Sequence, residues 1–494
     1  MYITLTVFFV YLCMLIALAL WSRQESQSLK GYFLAGKKLP FWVVAFSTNA
    51  TGESGWLLLG LTGMGFTVGA QAYWVVIGEV IGIALAWLLI SRRLKKLSDE
   101  TDSITLPDVL EARFNDSRHI LRWISVVVIL TMVCAYVTAQ MAASGKALVG
   151  FIEIDYATAV IVGGIVIIAY TIVGGYKAVS YTDVLQGAMM LVGLIIVPLV
   201  AIDAAGGWHS VTANLAAQDP SLLSMTGALD TGLPGWILVV SFLAIGLPFL
   251  GVPQLMTRFM AVKSEGELVK ARNMSVLIIL LFDVGAVTAG MAGRALFPEI
   301  ADAETIFPHL ARELFHPIIT GVLMVVVLSA IMSTVDSLLL LASSAVVRDI
   351  MQKIFNSSQS DKALANVGKV ITVMIGVLGI TFAIDEVKFL FWFILFAWSG
   401  LGAAFGPVIL CMLYYKKTTL QGAASGIVLG FGVTVLWILQ FKADTFDLYE
   451  MIPGFFVGLL TILIVSRMTW REPEGRQVMH PTANGHRKTG ASKN

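Results

Sequence analysis

The chain has 494 residues, of which 57% are hydrophobic and only 13% charged, and its formal net charge is +1. A soluble domain carries about 25% charged residues, so this composition excludes a soluble enzyme and points to a polytopic helical membrane protein built as one bundle. The near-neutral charge argues against a nucleic-acid partner, and the three cysteines, Cys13, Cys134 and Cys411, lie in apolar runs as packing residues, with no disulfide framework or metal cluster.

Apolar runs of about 20 residues mark membrane spans. In chain order they fall near 2–22, 40–67, 71–91, 119–149, 156–176, 183–203, 233–257, 273–297, 317–347, 365–384, 388–414, 419–440 and 447–467, about thirteen helices. The first run has neither a basic leader nor a small-residue cleavage site and reads as a retained helix. Basic clusters alternate with acidic or uncharged loops. Arg92-Arg93-Leu94-Lys95-Lys96, Lys177, Arg258 with Lys263, Lys270 and Arg272, Arg348 with Lys353, and Lys416-Lys417 fall on one side. Glu153 with Asp155, the stretch from Asp203 to Asp230, Glu299 to Glu313, and Asp385-Glu386 fall on the other. The positive-inside rule places the basic loops in the cytoplasm, the N-terminus outside and the C-terminus inside. The polar tail 467–494 reads as disordered, too short for a catalytic or signalling domain.

Two spans are interrupted. The second contains Ser47-Thr48-Asn49-Ala50-Thr51-Gly52-Glu53-Ser54-Gly55-Trp56. Such residues at membrane depth suit a broken helix whose freed carbonyls and N–H groups meet an ion or polar solute, and an intramembrane Glu is a functional-site hypothesis by default. The seventh contains Gly246, Pro248, Gly251 and Pro253, which remove backbone donors and free carbonyls. Taken alone it is an ordinary proline kink. Paired with the first break it points to a transporter site.

A third polar cluster is Ser333-Thr334-Val335-Asp336-Ser337. On a helix, Ser333, Asp336 and Ser337 share a face, and hydroxyls, carbonyls and a carboxylate are hard ligands for an alkali or alkaline-earth cation. The bland alternative is hydroxyls bonded back to their own helix; it accounts poorly for Asp336. Asp183 opens a helix, either as an N-terminal charge or cap or as an ion ligand. The aromatics Trp56, Tyr136, Phe249, Trp392 and Trp398 lie within spans; Trp56 and Phe249 stand out because each sits at a break. His309 and His316 lack zinc-protease spacing, Gly52-Glu53-Ser54-Gly55 is not a nucleophile elbow, and no ATP-binding motif is present, so neither an enzyme nor a primary pump is indicated and no organic cofactor is called for.

The chain resembles the sodium/solute symporters, most closely the bacterial sodium/proline symporters. The likeness runs through Tyr32-Phe33-Leu34-Ala35-Gly36, Ser54-Gly55-Trp56-Leu57-Leu58, Thr105-Leu106-Pro107-Asp108, Gly174-Gly175, Thr182-Asp183, Arg258-Phe259-Met260-Ala261, Met332-Ser333-Thr334, Ala397-Trp398, Gly402-Ala403-Ala404-Phe405-Gly406-Pro407 and Pro453-Gly454-Phe455. The resemblance implies an all-α, leucine-transporter-like fold of thirteen helices. Its core is a five-plus-five inverted repeat, roughly 40–203 and 233–414 within a single transmembrane domain 1–466, with helices two and seven broken. It implies a sodium ion held by the carbonyls of Ala50, Glu53 and Ala330 and the hydroxyls of Ser333 and Thr334. A second sodium would use Asp183, Ser333, Asp336 and Ser337. A solute pocket would involve Ser54, Gly55, Trp56, Tyr136, Phe249 and Pro253. Three positions depart from the proline transporters, which have an aspartate at Gly52, a tryptophan at Ile245 and a tyrosine at Phe249; Glu53 or Asp336 can stand in for the lost aspartate. The expectation is a sodium-coupled importer of proline or a related amino acid in the bacterial cytoplasmic membrane, with solute, sodium and bilayer as partners and no obligatory protein partner. Alternatives are a different solute (an organic acid, another amino acid or a sugar), proton coupling through Glu53 or Asp336, and a transporter-like sensor.

Overall fold

The computed structural model describes residues 2–22, 28–172, 175–227, 232–385, 390–445 and 447–471. Gly174, Asp230, Glu386 and the tail beyond 471 lie outside the described residues. Among the described residues, eleven helical runs are long and apolar enough to cross a membrane. The longest, Phe41–Glu100, holds two crossings divided at Gly69, whose φ of +60° turns the chain. With that division and the shorter apolar helix Tyr156–Thr171, the described residues supply the thirteen crossings expected.

We number these α1 to α13. They are α1 (Tyr2–Ser22), α2 (Phe41–Gly55 continued by Trp56–Leu61 and Thr62–Val68), α3 (Tyr73–Leu85 continued to Glu100), α4 (Ile120–Ile152), α5 (Tyr156–Thr171) and α6 (Tyr176–Ala204). Next come α7 (Leu233–Leu243, Ala244–Leu250 and Pro253–Ala261), α8 (Leu268–Leu296), α9 (Pro317–Ser344 continued to Ile354) and α10 (Asp361–Ala383). The last are α11 (Leu390–Tyr414), α12 (Leu420–Leu436 continued to Phe441) and α13 (Met451–Thr469). Short helices such as Leu106–Phe114 and Ile306–Leu314 lie between them.

Both interrupted spans are broken where the residues required it. In α2, Ser54 has φ 56° and ψ −170°, a left-handed conformation that costs a non-glycine residue free energy and persists only when its surroundings impose it. In α7, Pro248 and Pro253 withhold backbone donors, and the helix narrows to a 3-10 segment over Ala244–Leu250 before restarting at Pro253. Backbone hydrogen bonds from Leu39 N–H to Ala261 O (3.1 Å) and Lys263 N–H to Leu39 O (2.8 Å) join the entry of α2 to the exit of α7. Glycines bring helix backbones into contact, as membrane interfaces require. A Cβ on Gly246 of α7 would stand 1.9 Å from the Gly78 carbonyl of α3.

Three expectations change. Asp183 does not open its helix: α6 starts at Tyr176, with Gly175 at the cap. Asp183 therefore lies two turns inside, fully buried, and the capping role falls away. Arg258 is not a loop charge: it sits in the last piece of α7 and is also buried. The tail begins later than read, since α13 runs to Thr469.

Candidate functional site

The break in α2 meets the middle of α9. Ser333 Oγ lies 2.8 Å from the Ala50 carbonyl and 3.1 Å from that of Ala330. Thr334 Oγ1 lies 3.1 Å from the Thr51 carbonyl and 3.3 Å from that of Ala330. Each hydroxyl has one proton and faces two carbonyls, one on α2 and one on its own helix, so these oxygens gather from both helices at one point. Carbonyls and hydroxyls without a nitrogen or sulfur are the donor set that suits a hard cation. Ala50, Ala330, Ser333 and Thr334 thus lie together, and Thr51 joins them. The carbonyl of Glu53 instead accepts the N–H of Trp56 across the break.

Next to this junction lies a denser polar knot. Asp183 Oδ2 accepts from Ser47 Oγ at 2.6 Å and from Arg258 Nη2 at 3.3 Å. Arg258 Nη2 also donates to Thr51 Oγ1 (2.7 Å) and Ser337 Oγ (2.5 Å). The positive group at Asp183 and Ser337, two residues that the resemblance assigns to a second sodium, is therefore the guanidinium of α7. Asp336 faces the other way and accepts from Tyr170 Oη at 2.5 Å.

On the far side of the break a cavity is lined by Glu53, Ser54, Trp56, Glu79, Tyr136 and Trp398, with Gly52 also at its wall. Trp398 stands edge-on to Tyr136 and Phe249, with ring centroids 6.5 and 5.2 Å away. Ser54 closes the break by accepting the N–H of Trp56 at 3.1 Å, and Gly55 N–H donates to Gln140 Oε1 at 3.0 Å. Ser54, Trp56 and Tyr136 thus reach the cavity. Gly55, Phe249 and Pro253 do not line it: Gly55 is held by Gln140, Phe249 backs Trp398, and Pro253 starts the last piece of α7.

The side chain of Glu53 meets Glu79 of α3 and Asp283 of α8, one oxygen of each lying within 4.8 Å of the others. Sequence reading passed over Glu79, Asp283 and the inward role of Arg258. Glu79 and Asp283 each stand alone in an apolar run, Val75-Val76-Ile77-Gly78-Glu79 and Leu280-Leu281-Phe282-Asp283; a lone carboxylate at membrane depth is itself the signal that marks them.

The model of the Sodium:solute symporter family matches residues 32–430. A high-affinity proline transporter, PutP, of Bacillus subtilis (strain 168) is 37% identical over 454 residues, 91% of this chain and 94% of the relative. A sodium/proline symporter of Staphylococcus aureus is 33% identical over 473 residues, 93% of this chain and 91% of the relative. Among solved structures, a Na+-coupled sialic acid symporter in a substrate-bound outward-open state superposes with a TM-score of 0.78 at 20% identity, covering 94% of this chain and 98% of that one. Mhp1, a nucleobase-cation-symport-1 family transporter in a closed conformation, gives 0.54 at 14% identity, covering 90% and 96%. These two share the leucine-transporter-like fold with this chain.

Proposed function

Because this chain belongs to the Sodium:solute symporter family, we propose that it couples inward movement of sodium to uptake of a small organic solute, with proline the first solute to test, since its relatives are named for it. The observation that supports this most is the α2–α9 junction, where the hydroxyls of Ser333 and Thr334 lie on the carbonyls of Ala50 and Thr51. In this reading those groups, with Ala330 and the nearby backbone of Glu53, hold the coupling ion. A second ion at Asp183, Ser333, Asp336 and Ser337 requires Arg258 to withdraw. The two repeats, roughly 40–203 and 233–414, rock about the broken helices to open the site to either side. The chain lies in the bacterial cytoplasmic membrane with its C-terminus inside. One charge crossing 100 mV releases about 2.3 kcal/mol, a sufficient pull for solute accumulation before any concentration term.

The mechanism follows from the junction. Sodium bridging Ala50 and Thr51 to α9 fixes the residues just before the break, and Ser54, Trp56 and the cavity wall follow directly in sequence. Ion binding thus orders the solute site, and solute raises sodium affinity by the same factor. The test is uptake of radiolabelled proline into proteoliposomes under an inward sodium gradient, with potassium as control. Replacing one hydroxyl ligand, Ser333→Ala or Thr334→Ala, removes about 1–2 kcal/mol, a roughly 5- to 30-fold rise in the sodium needed for half-maximal uptake. Sodium-independent uptake, or unchanged sodium dependence in both variants, refutes the assignment.

A further inference from the structure

The geometry points to Glu53, Glu79 and Asp283, together with the aromatic wall beside them, as a recognition pocket for an organic cation, an ammonium or guanidinium group carried by the transported solute. The inference rests on the symport reading above and narrows its solute.

Glu53 is 1% exposed, Glu79 3% and Asp283 0%. Beyond one another, both carboxyl oxygens of Glu53, both of Asp283 and Oε2 of Glu79 have no hydrogen-bond partner among the described residues. Several other buried acids are paired with the chain's own bases, Asp183 with Arg258, Asp349 with Arg122, and Glu450 with Lys442 at 2.8 Å, and buried Asp336 is held by the Tyr170 hydroxyl. No ion pair among the described residues includes a member of the Glu53–Glu79–Asp283 cluster. Carboxylates so placed need positive charge or protons from outside the protein.

The surroundings favour an organic cation. Glu53 and Glu79 belong to the wall of the same cavity as Trp56, Tyr136 and Trp398, and no Lys, Arg or His lines it. Aromatic faces attract ammonium and guanidinium groups, and carboxylates accept their N–H donors in charge-assisted hydrogen bonds. A bare metal ion has no use for the rings. The departures from the proline transporters fit as well. A Cβ at Gly52 would stand 3.2 Å from Phe249 Cε1, already tight before a carboxyl is added. Moving the acid one residue along turns it by about 100° around the helix, away from α7 and toward Glu79 and Asp283. Proline brings its carboxylate two bonds from its ammonium, so entering this cluster sets like charges together. A solute whose cation stands several bonds from any carboxylate, or that has none, avoids that repulsion.

The experiment is solute binding to the full-length protein in detergent with saturating sodium, followed by isothermal titration, with agmatine, cadaverine and proline as probes and calcium and manganese chlorides as inorganic ones. Agmatine or cadaverine is expected to bind at least ten-fold more tightly than proline, and Glu53→Gln, Glu79→Gln and Asp283→Asn are each expected to weaken that binding ten-fold or more. Each amide variant also removes an unpaired buried charge, so its thermal unfolding temperature without solute is expected to equal or exceed that of the parent, which separates lost recognition from lost folding. Proline binding unaffected by excess agmatine and cadaverine overturns the proposal, as does cluster-dependent binding of calcium or manganese alone, or proton uptake without binding of either organic cation. Sodium-driven proline uptake blind to organic cations would retain the symport reading and reject the pocket. Organic-cation binding without sodium-driven uptake would do the reverse.

Discussion

The Arg258–Asp183 pair offers the sharpest test of how the broken helices are tied together. Arg258 is 1% exposed and Asp183 0%. Through its three nitrogens the guanidinium reaches Ser47, Thr51, Asp183, Ser337 and the carbonyl of Gln254, so one side chain of α7 holds α2, α6 and α9. Arg258→Gln leaves Asp183 buried with only hydroxyl donors, and Asp183→Asn leaves a guanidinium without a counter-charge. Breaking a buried pair from one side costs about 3–5 kcal/mol. Removing both charges avoids the stranded ion, so the double variant is expected to lose about 2–3 kcal/mol less than the sum of the singles. Arg258→Lys keeps the charge but not the planar fork, and is expected to recover less than half of the loss. The measurement is equilibrium unfolding of the parent and these four variants in mixed detergent, read by tryptophan fluorescence. Additivity of the two single variants to within about 0.5 kcal/mol would refute the reasoning.

Gly246→Ala is expected to abolish folded expression, since its Cβ would meet the Gly78 backbone at 1.9 Å, whereas Gly432→Ala, with nothing within 4 Å, is expected to be neutral; size-exclusion profiles of the two check this. Between the spans, Glu111 accepts from Arg122 Nε at 2.6 Å and pairs with His119 Nδ1 at 2.8 Å. Partial burial alone would raise its carboxyl, but these hydrogen bonds and charges outweigh it and hold it below its usual range. A lowered folded-state value stabilises above the unfolded value, about 4.3, and the stabilisation is lost as pH falls through the lower folded value. The stability gap between parent and Glu111→Gln is therefore expected to shrink as pH falls below about 4.3; a gap that keeps its full size down to about pH 3 would contradict the pairing.

The positions of the spans were legible because the hydrophobic solvent enforces a run of about 20 apolar residues per crossing, and α1, α4 and α12 begin within a residue of where hydropathy places them. The breaks were legible for a related reason: the Gly52-Glu53-Ser54-Gly55 and Pro-x-x-x-x-Pro patterns have no purpose in an unbroken lipid-facing helix. Side-chain direction was not legible. Arg258 follows a proline-interrupted span and precedes Lys263 and Lys270, so charge counting assigns it to a loop; only the packing of α7 against α2, α6 and α9 turns it inward. Glu79 and Asp283 are 204 positions apart in the sequence and become one cluster with Glu53 only when α3 and α8 close on α2. Their individual signals were present, but their meeting depends on tertiary packing that single-span periodicity does not encode.

Glu53 belongs to both halves of the proposed mechanism, and that makes a last prediction. Its backbone follows Ala50 and Thr51, whose carbonyls face Ser333 and Thr334, and its side chain enters the acid cluster with Glu79 and Asp283. Asp283 has no such backbone connection, since it lies on α8. Both amide variants should weaken solute binding, but through different terms. Asp283→Asn should lower solute affinity equally at low and saturating sodium, leaving the sodium-to-solute coupling factor intact. Glu53→Gln removes the group that is repositioned when sodium fixes the α2–α9 junction, so the factor itself should fall toward 1. Coupling free energies are typically 1–3 kcal/mol, or about 5- to 150-fold, which is large enough to read from solute titrations at two sodium concentrations. By reciprocity, sodium titrations at two solute concentrations must return the same factor for each protein. A coupling factor unchanged in Glu53→Gln would mean that sodium orders the cavity by a route that bypasses Glu53, and the link between junction and cluster would have to be sought in Trp56 or Tyr136 instead.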